Sequence, residues 1–224
     1  MGVFGIAASL IAAIILGLVI WRIVTQPAST DVVTLVSGSA SGKTCLTSTL
    51  NVPRSFNQPG GAVFTYSGWI LVNDFTYNYG KKRTIFTKGD CPGVYLDSTS
   101  NGMLVVINTY GATETILIGN LPAKKWIHFA IAVNQYSVDI YINGVVAQHH
   151  TLGQLPKQND DTVKIGTNAD NWDGVIANLQ YTPRTLSSGD IMAKVADVPK
   201  DALNTPSSPQ YFDMNWYTNR LNST

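Results

Sequence analysis

Residues 124–150 read KKWIHFAIAVNQYSVDIYINGVVAQHH, and this stretch decides the fold. From residue 126 to 133, Ile, Phe, Ile and Val alternate with Trp, His and Ala, which is the period of a strand with one face in a core. The alternation resumes at Val138, and the Asn143-Gly144 pair after it favours the positive φ angles of a type I′ turn. We therefore expect three antiparallel strands, and because such a meander buries one face only, a second layer must pack against it.

The region from Cys45 to Tyr181 is strand-like throughout. Every periodic segment there has a period of two or is a short β-branched and aromatic run. Strands are predicted at 45–50, 62–72, 83–88, 93–97, 102–109, 113–118, 126–134, 137–143, 145–151, 162–166 and 174–182. Strands at this spacing, with Gly, Pro and Asn between them, are typical of an antiparallel sandwich. One short helix is predicted at 187–195, with Ser187 or Ser188 as its N-cap.

Several short motifs occur in a fixed order along this region. They are F-T-Y-S-G-W-I at 64–70, I-F-T-K-G-D at 85–90, D-I-Y-I-N-G at 139–144 and W-D-G-V-I-A-N-L at 172–179. Together they resemble a laminin-G-like domain of the concanavalin A-like lectin/glucanase superfamily, over about two thirds of the chain. The resemblance implies an all-β fold, an antiparallel jelly-roll-type β-sandwich, and we assign it to residues 45–196.

The N-terminus is of a different character. Residues 3–24 are almost uninterrupted apolar sequence, long enough as a helix of about 33 Å to cross a bilayer core. We predict a single-pass membrane anchor at 1–25; a cleaved signal peptide is disfavoured because there is no basic n-region. Arg22 just after the span places the C-terminal domain on the cytosolic side. Residues 26–44 are predicted to be a Ser/Gly-rich linker with one short strand at 31–36.

Composition narrows the choice of partners. Only 13% of residues are charged and the net charge is +1, so the chain has no overall field that would gather nucleic acid. Nucleic acid is therefore not expected as a partner. The two cysteines, Cys45 and Cys91, allow one intramolecular disulfide, and in a reducing compartment they would be free thiols instead.

The residues that catalysis would need are scarce. The resembled glucanases use two glutamates in an E-x-D-x-x-E arrangement, whereas this chain has a single glutamate, Glu114. Its three histidines, His128, His149 and His150, fall into no nucleophile–base arrangement and are interpreted as surface or structural residues. We therefore expect a protein without enzymatic activity.

Calcium is the one cofactor the loops suggest, because the resembled domains often hold it at a rim of the sandwich. Oxygen-rich loops supply Asp160, Asp170 and Asp173 as candidate ligands. The alternative, which we favour, is that these Asx residues cap their own turns. No other cofactor is expected.

A glycan site would combine aromatic rings with amides. Trp172 beside Asn168 and Asn171 is one such group, and the Tyr-Asn-Tyr run at residues 77–79 is a second. Exposed tyrosines serve protein interfaces equally well.

The C-terminal tail, residues 197–224, has three prolines that forbid a continuous helix, yet it is too aromatic for a solvated tail. It either folds back on the sandwich or docks on a partner. Its candidate partner-binding residues are Tyr211, Phe212, Met214, Trp216 and Tyr217.

Two functions follow from these observations. The first is a non-catalytic, membrane-anchored structural module that packs against other structural proteins. In this it is similar to capsid-associated minor proteins of large icosahedral DNA viruses, which link an internal membrane to the virion shell. The second is a membrane-tethered lectin that displays a carbohydrate site.

Overall fold

The computed structural model describes residues 12, 13, 15–17, 32–47, 52–55 and 62–200. The chain divides into two compact units, residues 1–32 and 33–224. The described part of the second unit contains strands and one helix. The strands are β1 (Val33–Thr34), β2 (Ser39–Ser41), β3 (Leu46–Thr47), β4 (Val63–Asp74), β5 (Arg83–Thr87), β6 (Gly93–Leu96), β7 (Met103–Ile107), β8 (Glu114–Ile118), β9 (Trp126–Asn134), β10 (Ser137–Ile142), β11 (Val145–Thr151), β12 (Lys164–Ile165) and β13 (Asp173–Thr182), and the helix is α1 (Ser188–Ala196).

These strands form two antiparallel sheets. Sheet A has the order β1-β13-β4-β9-β10-β11, with β2 also paired to β13, and sheet B has the order β3-β12-β5-β6-β7-β8. The predicted all-β antiparallel sandwich is therefore confirmed. The predicted meander is strands β9, β10 and β11, which are consecutive neighbours in sheet A.

The core lies between the two sheets and follows the alternation read from the sequence. Ile127, Phe129 and Ile131 of β9 are fully buried and face sheet B. Phe129 stacks on Phe86 of β5 with ring centroids 6.1 Å apart, so this pair joins the two layers. Sheet B is thus the second layer that the meander required.

The predicted type I′ hairpin between β10 and β11 is confirmed by its dihedral angles. Asn143 has φ 50° and Gly144 has φ 82°. A side chain at Gly144 would also meet the sulfur of Met192, because a Cβ there would lie 2.2 Å from it. The turn therefore needs glycine for its backbone and for its contact with α1.

Helix α1 begins where the sequence predicted, with Ser187 as N-cap. Its hydroxyl accepts a hydrogen bond from Asp190 N at 3.2 Å, and the Asp190 carboxylate accepts one from Ser187 N at 3.1 Å, which completes a capping box. The helix packs Ile191, together with Leu186, on the outer face of sheet A. It is thereby anchored on the side of sheet A that faces away from sheet B.

The predicted linker at 26–44 is in part a piece of the sandwich. Strand β1 pairs Val33 with Tyr181, and β2 pairs Ala40 with Ile176. Strand β1 lies within the short strand predicted at 31–36, whereas β2 was missed because its Ser-Ala-Ser sequence has no apolar alternation. Short strands beside β13 are held through their backbone hydrogen bonds, which do not depend on side-chain type.

The N-terminal prediction needs a correction. The structure describes helix at residues 12, 13 and 15–17. Within the described part of the chain, none of the helices reaches the length and apolarity that a membrane crossing demands. The single-pass anchor at 3–24, and the membrane localisation that rested on it, are therefore contradicted; most of that stretch lies outside the described residues.

The two cysteines are free thiols. Cys45 is exposed, whereas Cys91 is buried in the core, where burial raises the pKa of its thiol to about 12. The disulfide that the sequence left open is not formed.

Candidate functional site

The two groups of residues predicted to bind a glycan meet at the end of the sandwich where β5 begins. The Asn78 side-chain amide donates to the backbone oxygen of Asn171 at 3.0 Å and to its Oδ1 at 2.7 Å. We call the loops 74–82 and 166–172 the Asn78 rim. The sequence offered these two groups as separate candidates; the structure brings them together, and the Asn78 amide is already bonded to Asn171.

Trp172, the aromatic ring of the first predicted group, is not available for stacking on a sugar. Its side chain is only 1% exposed and belongs to the core. The ring lies against two glycines, because a Cβ at Gly42 or Gly174 would come within 2.5 Å or 2.2 Å of it. The expected exposed indole is therefore a wrong prediction, and of this group Asn168 lies fully exposed.

The candidate calcium ligands are spread over both ends of the sandwich. Asp173 forms an ion pair with Lys43 at 3.2 Å near the Asn78 rim, where Asp170 is half-buried. Asp160 lies at the other end and pairs with Arg54 at 2.7 Å, which holds the pKa of this carboxyl below its usual value. Within the described ranges, no three Asp, Glu, His or Cys side chains come together as a metal site.

Arg83 closes the Asn78 rim from within. Its side chain is fully buried. Its guanidinium donates to the backbone oxygens of Tyr77, at 3.0 Å, of Phe75 and of Asp97. Burial lowers the pKa of Arg83. The Tyr79 side chain in this rim is 62% exposed.

A cleft of about 350 Å³ opens at the other end of β5. We call it the Asp161 cleft. Strands β5, β6 and β12 and the loops that follow or precede them provide its lining, which consists of Thr87, Gly89, Asp90, Tyr95, Asp161, Thr162 and Lys164. Its volume lies at the lower end of the range of small-molecule sites.

The two loops that form this cleft are clamped to each other. The Lys88 ammonium donates to Asn159 O at 2.5 Å and to its Oδ1 at 3.3 Å, while the Asn159 amide donates to Lys88 O at 2.8 Å. Burial lowers the pKa of Lys88. Gly89, at φ 55°, lies beneath the Asp161 carboxylate, since a Cβ there would be 2.1 Å from Asp161 Oδ2. Glycine therefore makes room for the carboxylate in the cleft.

Asp90 and Tyr95 form the opposite wall. The Tyr95 hydroxyl donates to Asp90 Oδ1, and the Asp90 backbone N donates to Thr87 Oγ1 at 3.2 Å. Burial, together with the hydrogen bond to Asp90, raises the pKa of Tyr95 to about 12, so the phenol stays a donor at neutral pH. The Lys82 ammonium lies 3.7 Å from the centre of the Tyr95 ring. Hydrogen bonds hold this wall in place, and the Tyr95 phenol is protonated.

Two charged groups of the cleft have no contacting partner among the described residues, although the charge of Asp161 acts on the nearby Lys88 and favours its protonated form. Among the described residues, the Asp161 carboxylate and the Lys164 ammonium form no ion pair and no side-chain hydrogen bond. The hydroxyls of Thr87 and Thr162 lie in the same lining. The cleft therefore offers acceptors, a donor and hydroxyls that can do both, on strand ends fixed by the sheet.

Sequence reasoning missed this cleft. It assigned Asp161 to an oxygen-rich turn and gave no role to Asp90, Tyr95 or Lys164. The missing information was the pairing of β12 with β5, in which Lys164 lies opposite Thr87. The strand itself was predicted at 162–166 and contains β12, but the sequence does not show which strand it pairs with.

His128 lies beneath α1 on the outer face of sheet A and is 1% exposed. Its ring meets Trp69 edge-on at 5.3 Å, and a cavity of about 20 Å³ beside it is also lined by Lys194 and Asp197. Its Nδ1 has no hydrogen-bond partner within the described part of the chain. Burial, and then the charge of Lys194, lowers the pKa of His128 to about 4. The sequence allowed a surface or a structural role for this histidine, and its burial favours the structural one.

The other two histidines pair with carboxylates along β11. His149 Nδ1 lies 2.5 Å from Asp139, and His150 Nε2 lies 2.6 Å from Glu114. The other carboxylate oxygen of Glu114 accepts a hydrogen bond from Gly153 N at 2.8 Å. The only glutamate of the chain is thus already held by two partners.

The predicted partner-binding residues of the tail lie outside the described residues. These are Tyr211, Phe212, Met214, Trp216 and Tyr217. Their role stays a prediction.

Comparison with known families assigns most of the chain. Residues 44–192 match the family model Laminin_G_3, described as concanavalin A-like lectin/glucanases superfamily. The match covers the whole Asn78 rim and the whole Asp161 cleft. No curated protein matches the chain in sequence.

Solved structures similar to this chain include toxin binding domains. The botulinum neurotoxin serotype D ligand binding domain in complex with N-acetylneuraminic acid has a TM-score of 0.59 and 15% identity, covering 74% of this chain and 45% of that one. The binding domain of Paraclostridial Mosquitocidal Protein 1 has a TM-score of 0.57 and 15% identity, over 75% and 46%. A structure of botulinum neurotoxin type C, whose cell entry depends on two ganglioside molecules, has a TM-score of 0.50 and 18% identity. The match covers 61% of this chain and 36% of that one. At these identities the likeness shows the fold, and this chain spans less than half of each.

Proposed function

We propose a carbohydrate-binding function from one premise: the chain belongs to the concanavalin A-like lectin/glucanase superfamily. In this proposal the sandwich is a lectin-like interaction module that binds a sugar in the Asp161 cleft and does not turn it over. The observation that carries the proposal is the open cleft of about 350 Å³, lined by a carboxylate and an ammonium that form no ion pair within the described part of the chain.

The chemistry of the lining fits a sugar. A carboxylate such as Asp161 accepts hydrogen bonds from two neighbouring hydroxyls, and Lys164 donates to a hydroxyl or ring oxygen. The Thr162 hydroxyl can turn to donate to the ligand or accept from it. The Lys88–Asn159 clamp holds the walls in place before binding, which reduces the entropy lost on association.

The absence of turnover is part of the proposal. Glycoside hydrolysis needs two carboxyl groups that flank the scissile bond, and the resembled glucanases use glutamates for both. Here the only glutamate, Glu114, is occupied by His150 and Gly153 and does not line the cleft.

The named relatives give the proposal further support at the level of ligand class. One solved structure is a complex with N-acetylneuraminic acid, and another concerns a neurotoxin that depends on gangliosides. Because this chain spans less than half of those structures, the place where they bind sugar is not transferred to it.

The capsid-associated structural role is not proposed. It rested on the membrane anchor, which is contradicted, and on the tail residues 211–217, which lie outside the described part of the chain. No observation on the described residues favours a viral shell as the partner, whereas the cleft favours a small polar ligand.

A glycan array followed by titration calorimetry tests the proposal. Asp161→Asn keeps the shape of the side chain and removes its charge, so we expect the dissociation constant for the bound glycan to rise about tenfold or more. Asp160→Asn is the matched control, because this neighbouring carboxylate pairs with Arg54 and does not line the cleft. An array without any bound glycan, or equal losses in the two variants, would contradict a sugar site here.

A further inference from the structure

A second polar pocket lies beside the last turn of α1 and shares no lining residue with the Asp161 cleft. It has an inner cavity of about 20 Å³, lined among others by His128, and an outer cavity of about 440 Å³. Asn178 and Asp197 line both cavities, so the two adjoin. We call them together the His128 pocket.

His128 gives the inner cavity a buried nitrogen that lacks a hydrogen bond. The residue is 1% exposed, and its Nδ1 has no partner in the described part of the chain. A buried polar atom without a partner carries a desolvation cost, which a ligand atom bonded to it would remove. Because the proton of a neutral imidazole can lie on either nitrogen, Nδ1 can act as a donor.

Lys194 supplies a second group of donors to the inner cavity. Its ammonium donates to Gln180 Oε1, and among the described residues it forms no ion pair. Two of its three protons are therefore left for a ligand. Burial lowers the pKa of Lys194, because the ammonium has lost part of its water shell. An anionic atom in the inner cavity would compensate for that loss.

Asn178 stands at the junction of the two cavities, where β13 carries a bulge. Between Ala177 and Gln180 the register with β4 shifts, and Asn178 has φ 48°. A bulge of this kind turns a side chain out of the regular alternation. The Asn178 side-chain amide forms no hydrogen bond with any other described residue, so its protons also remain for a ligand.

The charges around the pocket favour one negative charge on the ligand. Lys194 and Lys200 line it with a single carboxylate, Asp197, which is exposed and acts on Lys194 from a distance. Arg184 and Asp190 also act on Lys194, but they pair with each other at 3.5 Å. One ligand carboxylate balances this lining, and a hydroxyl beside it can donate to Asp197.

The two cavities differ in the size of the group they admit. The inner one has room for about one water-sized atom, such as one oxygen of a carboxylate. The outer one has the volume of a small-molecule site, and Ser37 and Ser39 lie in its lining.

We infer that the His128 pocket binds a small hydroxy acid, with one carboxylate oxygen in the inner cavity against His128 and Lys194 and the hydroxyl-bearing part in the outer cavity. A free 2-hydroxy acid and an acidic sugar share this chemistry. The site goes beyond the proposed carbohydrate-binding function and does not depend on it.

Titration calorimetry with glycolate, glucuronate, glucose and inorganic phosphate tests the ligand class. We expect glycolate or glucuronate to bind with a dissociation constant of about 1 mM or lower, and glucose and phosphate to bind at least about tenfold more weakly. Tighter binding of glucuronate identifies an acidic sugar as the ligand, and equal or tighter binding of glycolate identifies a free acid. The same titrations in Asp161→Asn should be unchanged, because Asp161 does not line this pocket.

Two variants remove donors from the pocket. Lys194→Met keeps the side-chain stem and should weaken binding of the acid about tenfold or more, whereas Lys125→Met, at an exposed lysine outside the lining, should not. Asn178→Gly suits the left-handed backbone and should weaken binding about threefold to tenfold. Because this second variant leaves α1 intact, it keeps the test decisive if Lys194→Met loosens the helix.

The ring nitrogens of the histidines give a readout that a purely structural His128 would not change. In long-range proton–nitrogen spectra, the signal absent from His128→Gln belongs to His128. The bound acid should shift this signal and leave those of His149 and His150, which already face carboxylates.

A wild-type chain that binds neither acid, or binds phosphate or glucose as tightly, overturns the inference. Equal affinities in Lys194→Met, Asn178→Gly and Lys125→Met, or an unmoved His128 signal in the presence of bound acid, also overturn it. Binding of an acid that weakens in the two pocket variants and shifts the His128 signal supports it, whatever the Asp161 cleft binds.

Discussion

The Asn78 rim and the Asp161 cleft lie at opposite ends of strand β5 and are built from the same kinds of residue, yet they differ in what their polar groups already bind. At the Asn78 rim the amides of Asn78 and Asn171 bond to each other, and Asp173 is paired with Lys43. In the cleft, Asp161 and Lys164 form no ion pair and no side-chain hydrogen bond with any other described residue. Residue types therefore indicate where a site could be, whereas the hydrogen bonds already formed there decide whether a ligand can bind.

The contrast between the Asn78 rim and the Asp161 cleft would fail most clearly if Trp172 were a ligand-binding residue rather than a core residue. Trp172→Ala should lower the free energy of unfolding by about 3–5 kcal/mol, because it empties a core position. Tyr79→Ala, at an exposed ring of the same rim, should change it by less than about 0.5 kcal/mol. Urea unfolding followed by fluorescence measures both. A Trp172→Ala protein as stable as wild type would return this residue to the surface and reopen the rim as a site.

The next largest effect is the pH dependence of the free energy of unfolding. It determines the pH range in which the two ends of the sandwich can be compared. The pKa of His128 is lowered to about 4 in the folded chain, so the unfolded state binds its proton first as pH falls. Stability is therefore complete above about pH 6.5 and is lost by up to about 3 kcal/mol between pH 6.5 and pH 4.

Urea titrations at several pH values check this. His128→Gln should remove that part of the slope, whereas His149→Gln, an exposed histidine, should keep it. If the slope survives His128→Gln, another group causes it, and binding at the cleft can be compared below pH 6.5 only after that group is found.

Glycine at the floor of the cleft gives a sharper contrast between the ends. Gly89→Ala should cost about 1–2 kcal/mol for the left-handed backbone and should also displace the Asp161 carboxylate, weakening sugar binding about tenfold. Gly80→Ala, in the Asn78 rim at φ 83° with open space around it, should incur the backbone cost alone. Calorimetry with the array-selected glycan tells them apart. Equal affinity in both variants would mean that the position of Asp161 does not matter.

The smallest effect compares one cation from each end. Lys43→Gln removes the partner of Asp173 in a partly exposed ion pair and should destabilise the chain by no more than about 1 kcal/mol, less at high salt. Lys164→Gln removes no partner and should leave stability unchanged within error. Should Lys164→Gln cost more than Lys43→Gln, Lys164 is engaged in the free protein and the cleft is less open than described.

The strands with strong alternation could be predicted almost residue by residue. Strand β9 runs from Trp126 to Asn134 as predicted, and the Asn143-Gly144 turn and the Ser187 cap of α1 are also confirmed. These features are local: each depends on neighbours within a few residues, so the sequence carries them.

Features that depend on distant partners could not be predicted in the same way. Strand β2 has only Ser and Ala and exists through its pairing with β13. Trp172 was predicted to be exposed because the contact of its ring with Gly42 and Gly174 forms only when the fold brings these residues together. The unpaired state of Lys164 is likewise a property of the assembled sandwich.

Strand β12 restricts how this module can diversify. It has two residues, Lys164 with its side chain in the cleft and Ile165 in the core, and the chain passes through it from one end of the sandwich to the other. Because side chains alternate along a strand, one inserted or deleted residue just upstream would exchange their faces and bring an ammonium into the core. Homologues or engineered forms with altered specificity should therefore keep the spacing between Asn159 and Ile165 and vary by side-chain replacement.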